Sequence, residues 1–167
     1  IGAQALGANV LGDRNVAIGH EALLVANPGS DSDTYNVAVG YQAGHDVTTG
    51  KYSTYIGGQT GQNITTGTYN TAVGQAALND DTTGQRTTAI GYGALSTQNF
   101  TGEQTSYNTA VGYVAGTALT TGQSNSLVGY AAGDALTTGS DNVAIGYGAL
   151  TADDVGSRSI AIGSGAL

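Results

Sequence analysis

The chain contains no cysteine, methionine or tryptophan, one proline (Pro28) and one phenylalanine (Phe100). Without cysteine there is no disulfide framework and no thiol chemistry. Without methionine and tryptophan, and with almost no phenylalanine, the bulky side chains that fill a globular core are missing. The apolar residues are mostly Ala, Val and Ile, which fill only a thin interior, as between two closely stacked layers. Basic residues are also scarce. Arg14, Lys51, Arg86 and Arg158 are too few to track a phosphate backbone, which argues against nucleic acid as a partner. The net charge of -8 favours solubility and mutual repulsion. The longest purely apolar run, 22–26, is far too short to cross a bilayer, and no signal peptide is visible.

Glycine is abundant, at 28 of 167 residues. With so little proline and no Gly-X-Y period this is not collagen, and a 40% hydrophobic content argues against disorder. The glycines instead mark a repeat. The phrase NVAIG at 15–19 recurs with small changes beginning at Asn36, Ser53, Asn70, Thr87, Asn108, Asn125, Asn142 and Ser159. Its last residue gives a column of anchor glycines: Gly19, Gly40, Gly57, Gly74, Gly91, Gly112, Gly129, Gly146 and Gly163, preceded by Gly2. The steps in their numbering are 17, 21, 17, 17, 17, 21, 17, 17 and 17. Such self-similarity is the signature of a solenoid.

A longer period lies over the first. The order 21-17-17-17 sums to 72, and Arg14, Arg86 and Arg158 stand 72 apart in the numbering. Four positions after each anchor the chain reads Leu6, Leu23, Gly44, Gly61, Leu78, Leu95, Gly116, Gly133, Leu150 and Leu167, two leucines then two glycines. Four coils therefore form one unit, consistent with duplication of a four-coil block. The longer coils would set a protruding loop at regular intervals. The chain opens in mid-phrase and stops in mid-coil without distinct caps, so positions 1–167 read as one repeat solenoid, a section of a longer fibre.

The anchor phrase alternates as a strand does, with Val143 and Ile145 on one side and Ala144 on the other. A second short strand is expected over the following segment, for example 115–119. A Thr-Thr-Gly turn then leads back, as at 48–50, 65–67, 82–84, 120–122 and 137–139. The expected fold is all-β, a parallel β-solenoid or β-roll of about ten coils with the 17-to-21 repeat. Stacking forms an aliphatic column (Ile18, Val39, Ile56 and onward), an alanine column (Ala22, Ala43, Ala77 and onward) and a run of Asn whose amides would bond to one another. A coil this thin buries little. Its aliphatic columns, if they lie on both faces of a sheet, need another chain, most simply in a homotrimer.

No chemistry-bearing motif stands out. The acidic pairs Asp31/Asp33, Asp80/Asp81 and Asp153/Asp154 are too irregular for a calcium roll and read as solvated turns. His20 and His45 stand alone, without metal-ligand spacing. Two histidines, two glutamates and no nucleophile elbow argue against an enzyme, and Gly50-Lys51 lacks the phosphate-loop context. No cofactor is implied. Tyr41, Tyr92, Tyr113, Tyr130 and Tyr147 follow anchor glycines, while Tyr35, Tyr52, Tyr69 and Tyr107 precede anchor phrases. They read as rings stacked between coils, with a sugar-binding aromatic surface as the sharper alternative. The Thr-Thr-Gly pairs read as turn chemistry, with an ice-binding hydroxyl array as the alternative. Asn63-Ile64-Thr65 and Asn99-Phe100-Thr101 match the glycosylation acceptor pattern.

The phrases NVAIGYGAL, NTAVGYVAG and SIAIGSGAL resemble the head repeats of trimeric autotransporter adhesins and the repeats of phage tail fibres, over essentially the whole chain. The coil here is longer than the adhesin unit by its Thr-Thr-Gly turn, which favours the tail-fibre-like variants. The resemblance implies a left-handed β-roll with three chains side by side. The function expected is a structural segment of an extracellular, cell-surface or virion fibre, acting in spacing and attachment. A surface glycan or host receptor would be the partner, and no membrane contact is expected within this segment. The alternatives are an ice-binding solenoid and a calcium-stiffened β-roll.

Overall fold

A computed structural model describes residues 1–30 and 32–167. Among these residues there is no helix. The strands are β1 (Gly12–Asp13), β2 (Val16–Ile18), β3 (Ser32–Asp33), β4 (Val37–Val39), β5 (Thr54–Ile56), β6 (Thr71–Val73), β7 (Thr88–Ile90), β8 (Thr109–Val111), β9 (Ser126–Val128), β10 (Val143–Ile145) and β11 (Ile160–Ile162). All the strands except the short β1 and β3 are the middles of anchor phrases. These nine, β2 and β4 to β11, form one parallel sheet in sequence order. The register follows the repeat: Val16 pairs with Val37, Val37 with Thr54 and Thr54 with Thr71. At a strand spacing of about 4.8 Å, nine rungs rise roughly 38 Å. The segment 1–8 extends the stack, with Gly19 donating to the Ile1 carbonyl and Leu6 to that of Ala22. The chain is therefore a parallel β-solenoid of stacked repeats.

Each coil carries one long-sheet strand; the expected second strand over 115–119 does not form. The backbone prevents it. Val114 has φ 49° and Gly116 φ 61°, both in the left-handed region, so the segment folds into consecutive tight turns. Its N–H groups still reach neighbouring coils. Val114 donates to Tyr92 O at 2.8 Å and Gly116 to Ala132 O at 2.9 Å. Inter-coil hydrogen bonding thus continues without extended dihedrals.

The core differs in one respect from the reading of the sequence. The aliphatic column does not fill it. The middle residue of each phrase points inward: Ala17, Ala38, Tyr55, Ala72, Ala89, Ala110, Leu127, Ala144 and Ala161 are buried. Ile18, Ile56, Ile90, Val128 and Ile145 point outward and are exposed. The interior is closed by the alanine column and by the Leu/Gly column four positions after each anchor.

The four-coil period is a code of side-chain volume. Where that column has Leu, the residue three further on is small or polar: Asn9, Ala26, Asp81, Gln98 and Asp153. Where it has Gly, that residue is Val47, Ile64, Leu119 or Leu136, all buried. The glycines also admit the two large residues of the phrase column. A methyl group at Gly61 would lie 2.5 Å from the Tyr55 ring, and one at Gly116 or Gly133 would lie 2.7 Å from Leu127. Tyr55 and Leu127 themselves occupy equivalent places in successive four-coil blocks. Close packing tolerates no second occupant, so bulk at one position requires its absence at the next.

The asparagines form a ladder, though not an amide-to-amide one. The Asn70 side chain donates to the turn carbonyl of Gly84 at 2.8 Å and accepts from the Thr87 amide at 3.0 Å. Asn36, Asn108, Asn125 and Asn142 repeat both bonds. Among the described asparagines only Asn125 to Asn108 adds a direct Asn-to-Asn amide contact, at 3.2 Å, while Asn108 also donates to the Gln98 amide oxygen at 2.9 Å. Buried backbone groups need partners, and each amide supplies one donor and one acceptor to them.

The long coils carry their extra residues on one side. The register offset is 20 at β1–β3 and 21 at β2–β4, so three residues enter before β3 and one after it. The second block repeats this, with Gln85 bridged to Thr105. The inserted Gly29 and Gly102 have open space around them.

Candidate functional surface

No concave pocket opens among the described residues, so the candidate site is a face. It is the outer side of the nine-stranded sheet. Each strand places two side chains there, and the parallel register aligns them. One column runs Ile18, Val39, Ile56, Val73, Ile90, Val111, Val128, Ile145, Ile162. The other runs Val16, Val37, Thr54, Thr71, Thr88, Thr109, Ser126, Val143, Ile160. Neither column contains a charge, in a chain of net charge -8. The face is thus uncharged and partly exposed, aliphatic along one column and mixed with Thr and Ser along the other, which makes it the candidate surface.

The anchor glycines Gly19, Gly40, Gly57, Gly74, Gly91, Gly112, Gly129, Gly146 and Gly163 border this face. Their φ values lie between 124° and 146°. A methyl group at Gly74 would come within 2.6 Å of the Gly91 carbonyl carbon. Only glycine permits both the conformation and the close stacking.

Tyrosines line both margins. Tyr92, Tyr113, Tyr130 and Tyr147 stack at 5.2, 5.3 and 4.9 Å between ring centroids. Tyr41 lies apart from them and stacks on His20 at 5.7 Å. On the other margin Tyr35, Tyr52 and Tyr69 stack at 5.6 and 5.1 Å. This second ladder is closed at both ends by guanidinium groups, Arg14 over Tyr35 at 5.3 Å and Arg86 over Tyr69 at 5.4 Å. Arg14 also bonds Asp33 and the Tyr35 hydroxyl. Sugars stack on ring faces. Within each ladder neighbouring rings cover those faces, leaving ring edges and phenol hydroxyls outward, and the end rings Tyr92 and Tyr147 each stack on one ring only among the described residues.

The first hydroxyl of four Thr-Thr-Gly turns is already engaged. Thr48, Thr65, Thr120 and Thr137 donate to carbonyls of the next coil at 2.8 to 3.1 Å. A second in-register set of threonines, Thr54, Thr71, Thr88 and Thr109, lies on the sheet.

The acidic residues are used locally. Asp33 pairs with Arg14. Asp81 is fully buried, accepting from the Gly84 amide at 3.0 Å and from Gln98 at 2.8 Å. Burial pushes its carboxyl above the usual range, against those hydrogen bonds. Asp153, one block on, accepts from the Gly156 amide at 2.7 Å, and Asn9, one block back, from that of Gly12 at 2.8 Å. Asp31 lies outside the described residues. No three ligating side chains converge on a metal position among the described residues.

The two histidines are not isolated. Glu21 Oε2 lies 3.6 Å from His20 Nδ1 and 3.8 Å from His45 Nε2, while His45 Nδ1 meets Asp46 at 2.6 Å. His45 is remote from His20 along the chain but only one coil away, a neighbourhood visible only after folding the repeat.

No protein-family model, curated protein or solved structure matches the chain. Fold and surface together define a β-solenoid repeat protein with one uncharged, exposed sheet face.

Proposed function

We propose that the chain is a structural segment of an extracellular or virion fibre, and that it associates as a homotrimer through the outer face of the sheet. The observation that carries this reading is the pair of uncharged columns, Val16 to Ile160 and Ile18 to Ile162, held in register over nine rungs. A single-layer solenoid cannot bury them itself, and three copies around an axis can. The regularity of the repeat suits spacing, with attachment through the loops that recur once in every four-coil block. A glycan or receptor would be met by the rows of phenol hydroxyls and by these loops. Light scattering tests the association: a trimer mass at micromolar concentration is expected, and Ile56→Lys with Ile90→Lys should give monomers. A monomeric wild-type mass would remove the proposal.

A second reading is supported by Thr54, Thr71, Thr88 and Thr109, one above another on the same face. Free in solution, such an array would suit ice binding. Thermal hysteresis from a monomeric preparation would favour it over the fibre.

A further inference from the structure

The absence of cysteine, methionine and tryptophan leaves tyrosine as the most readily oxidised type of side chain in this molecule. Seven of its ten tyrosines stand in the two ladders, roughly half exposed, with ring planes within 5° to 15° of parallel. We propose that these ladders are sites of oxidative coupling, in which a haem peroxidase with peroxide joins tyrosines of adjacent coils as dityrosine. The proposal goes beyond the fibre reading and does not depend on it.

The chemistry balances. Each of two neighbouring phenols gives one electron to the oxidant and its hydroxyl proton to water. The two tyrosyl radicals couple through one Cε each, forming a carbon–carbon bond. The hydrogen on each coupled carbon then shifts to its phenolic oxygen and restores the ring. Two tyrosines and one hydrogen peroxide become one dityrosine and two waters.

In solution this coupling needs two radicals to collide. Here the partners are held at centroid distances of 4.9 to 5.6 Å, which converts the encounter into an intramolecular step. The torsion about each ring's Cβ–Cγ bond is broad, so neighbouring Cε atoms can close the remaining gap. Half-exposed edges let the oxidant take the first electron. The arginines over Tyr35 and Tyr69 end one ladder with groups that do not couple.

Three tyrosines serve as internal controls. Tyr55 is fully buried, Tyr41 stacks on His20, and Tyr107 has no stacked ring partner among the described residues. The product would link coils that otherwise hold one another only through nearest-neighbour contacts, the sole source of cohesion in a solenoid.

The test treats the folded chain with a haem peroxidase and hydrogen peroxide. Dityrosine fluorescence, the loss of two hydrogens per link, and peptide mapping by mass spectrometry report the outcome. Links are expected between successive members of 35–52–69 and 92–113–130–147, with a raised melting temperature. Combined Tyr52→Phe, Tyr113→Phe and Tyr130→Phe retains the stacked rings but leaves no two neighbouring phenols; it should lose the fluorescence. Tyr41→Phe with Tyr107→Phe should keep it. Circular dichroism checks that both variants are folded. Equal yield from the urea-unfolded chain, links mainly at Tyr41, Tyr55 or Tyr107, or no coupling at all would overturn the proposal. So would links found only between heavy-isotope-labelled and unlabelled chains in a mixture.

Discussion

Tyr55 occupies the space that a side chain at Gly61 would need: a methyl group there would sit 2.5 Å from the ring. Its own hydroxyl is buried and closes no hydrogen bond of good geometry among the described residues. The counterpart in the next block, Leu127, has no hydroxyl to satisfy. Tyr55→Phe should therefore stabilise the protein by about 1 kcal/mol, since it removes an unpaired polar group while keeping the ring. Urea unfolding measures it; a lower midpoint would show that the hydroxyl has a partner.

The same volume relationship predicts coupling between Leu127 and Gly133. Leu127→Ala should cost about 2–5 kcal/mol by opening a cavity. Gly133→Ala alone should also destabilise, through its clash with Leu127 and a φ of 63°. The double variant should lose less than the sum, because the second methyl group enters the space that the first change vacates. Additive losses in a double-mutant cycle would contradict the shared space.

Gly74→Ala should destabilise on the order of 3 kcal/mol, since it adds both a disfavoured φ and a clash with backbone. Gly58, one residue after an anchor, has open space and no positive φ. Gly58→Ala should be neutral or stabilise by up to about 1 kcal/mol. Melting temperatures of the two variants separate anchor from ordinary glycine.

Asp81 gives a pH signature. Its proton is held more tightly in the folded chain than in the unfolded one, because burial penalises the charge. Its favourable contribution is therefore fully present in acid. It is lost as pH rises above the ordinary carboxylate range and through the raised folded value. Relative to Asp81→Asn, the wild type should lose stability between acid and neutral pH. Parallel stability curves for the two proteins would refute this.

How much of this was legible in the sequence depended on what each residue type reports. The anchor glycines fixed the coil length, and the alternation in phrases such as Asn142 to Gly146 placed every strand of the long sheet. Stacked tyrosines followed from the same arithmetic. The direction of the alternation did not. Ala144 and Ile145 are both apolar, and hydropathy alone puts the larger inside; here the thin coil admits only the smaller. The second strand failed for a backbone reason. Leu23, Leu78 and Val114 adopt left-handed φ values that their side chains disfavour, so nothing in their identity announced a turn. The Leu/Gly rhythm was visible, but its meaning required knowing that Tyr55 and Leu127 point between the glycines. The contact of His20 and His45 with Glu21 lay between coils and left no local signal.

The alternation of bulk along the core also bears on how such a chain can grow or shrink. Removing a single coil would break the order of two leucines and two glycines, setting a leucine where Gly44 or Gly61 now makes room for Tyr55, or a glycine where no large side chain fills the space, and leave a clash or a void. Removing four coils restores every pairing. Genetic gain or loss of repeats is thus steered towards whole blocks, and a solenoid built this way would vary in length by fixed steps of four rungs.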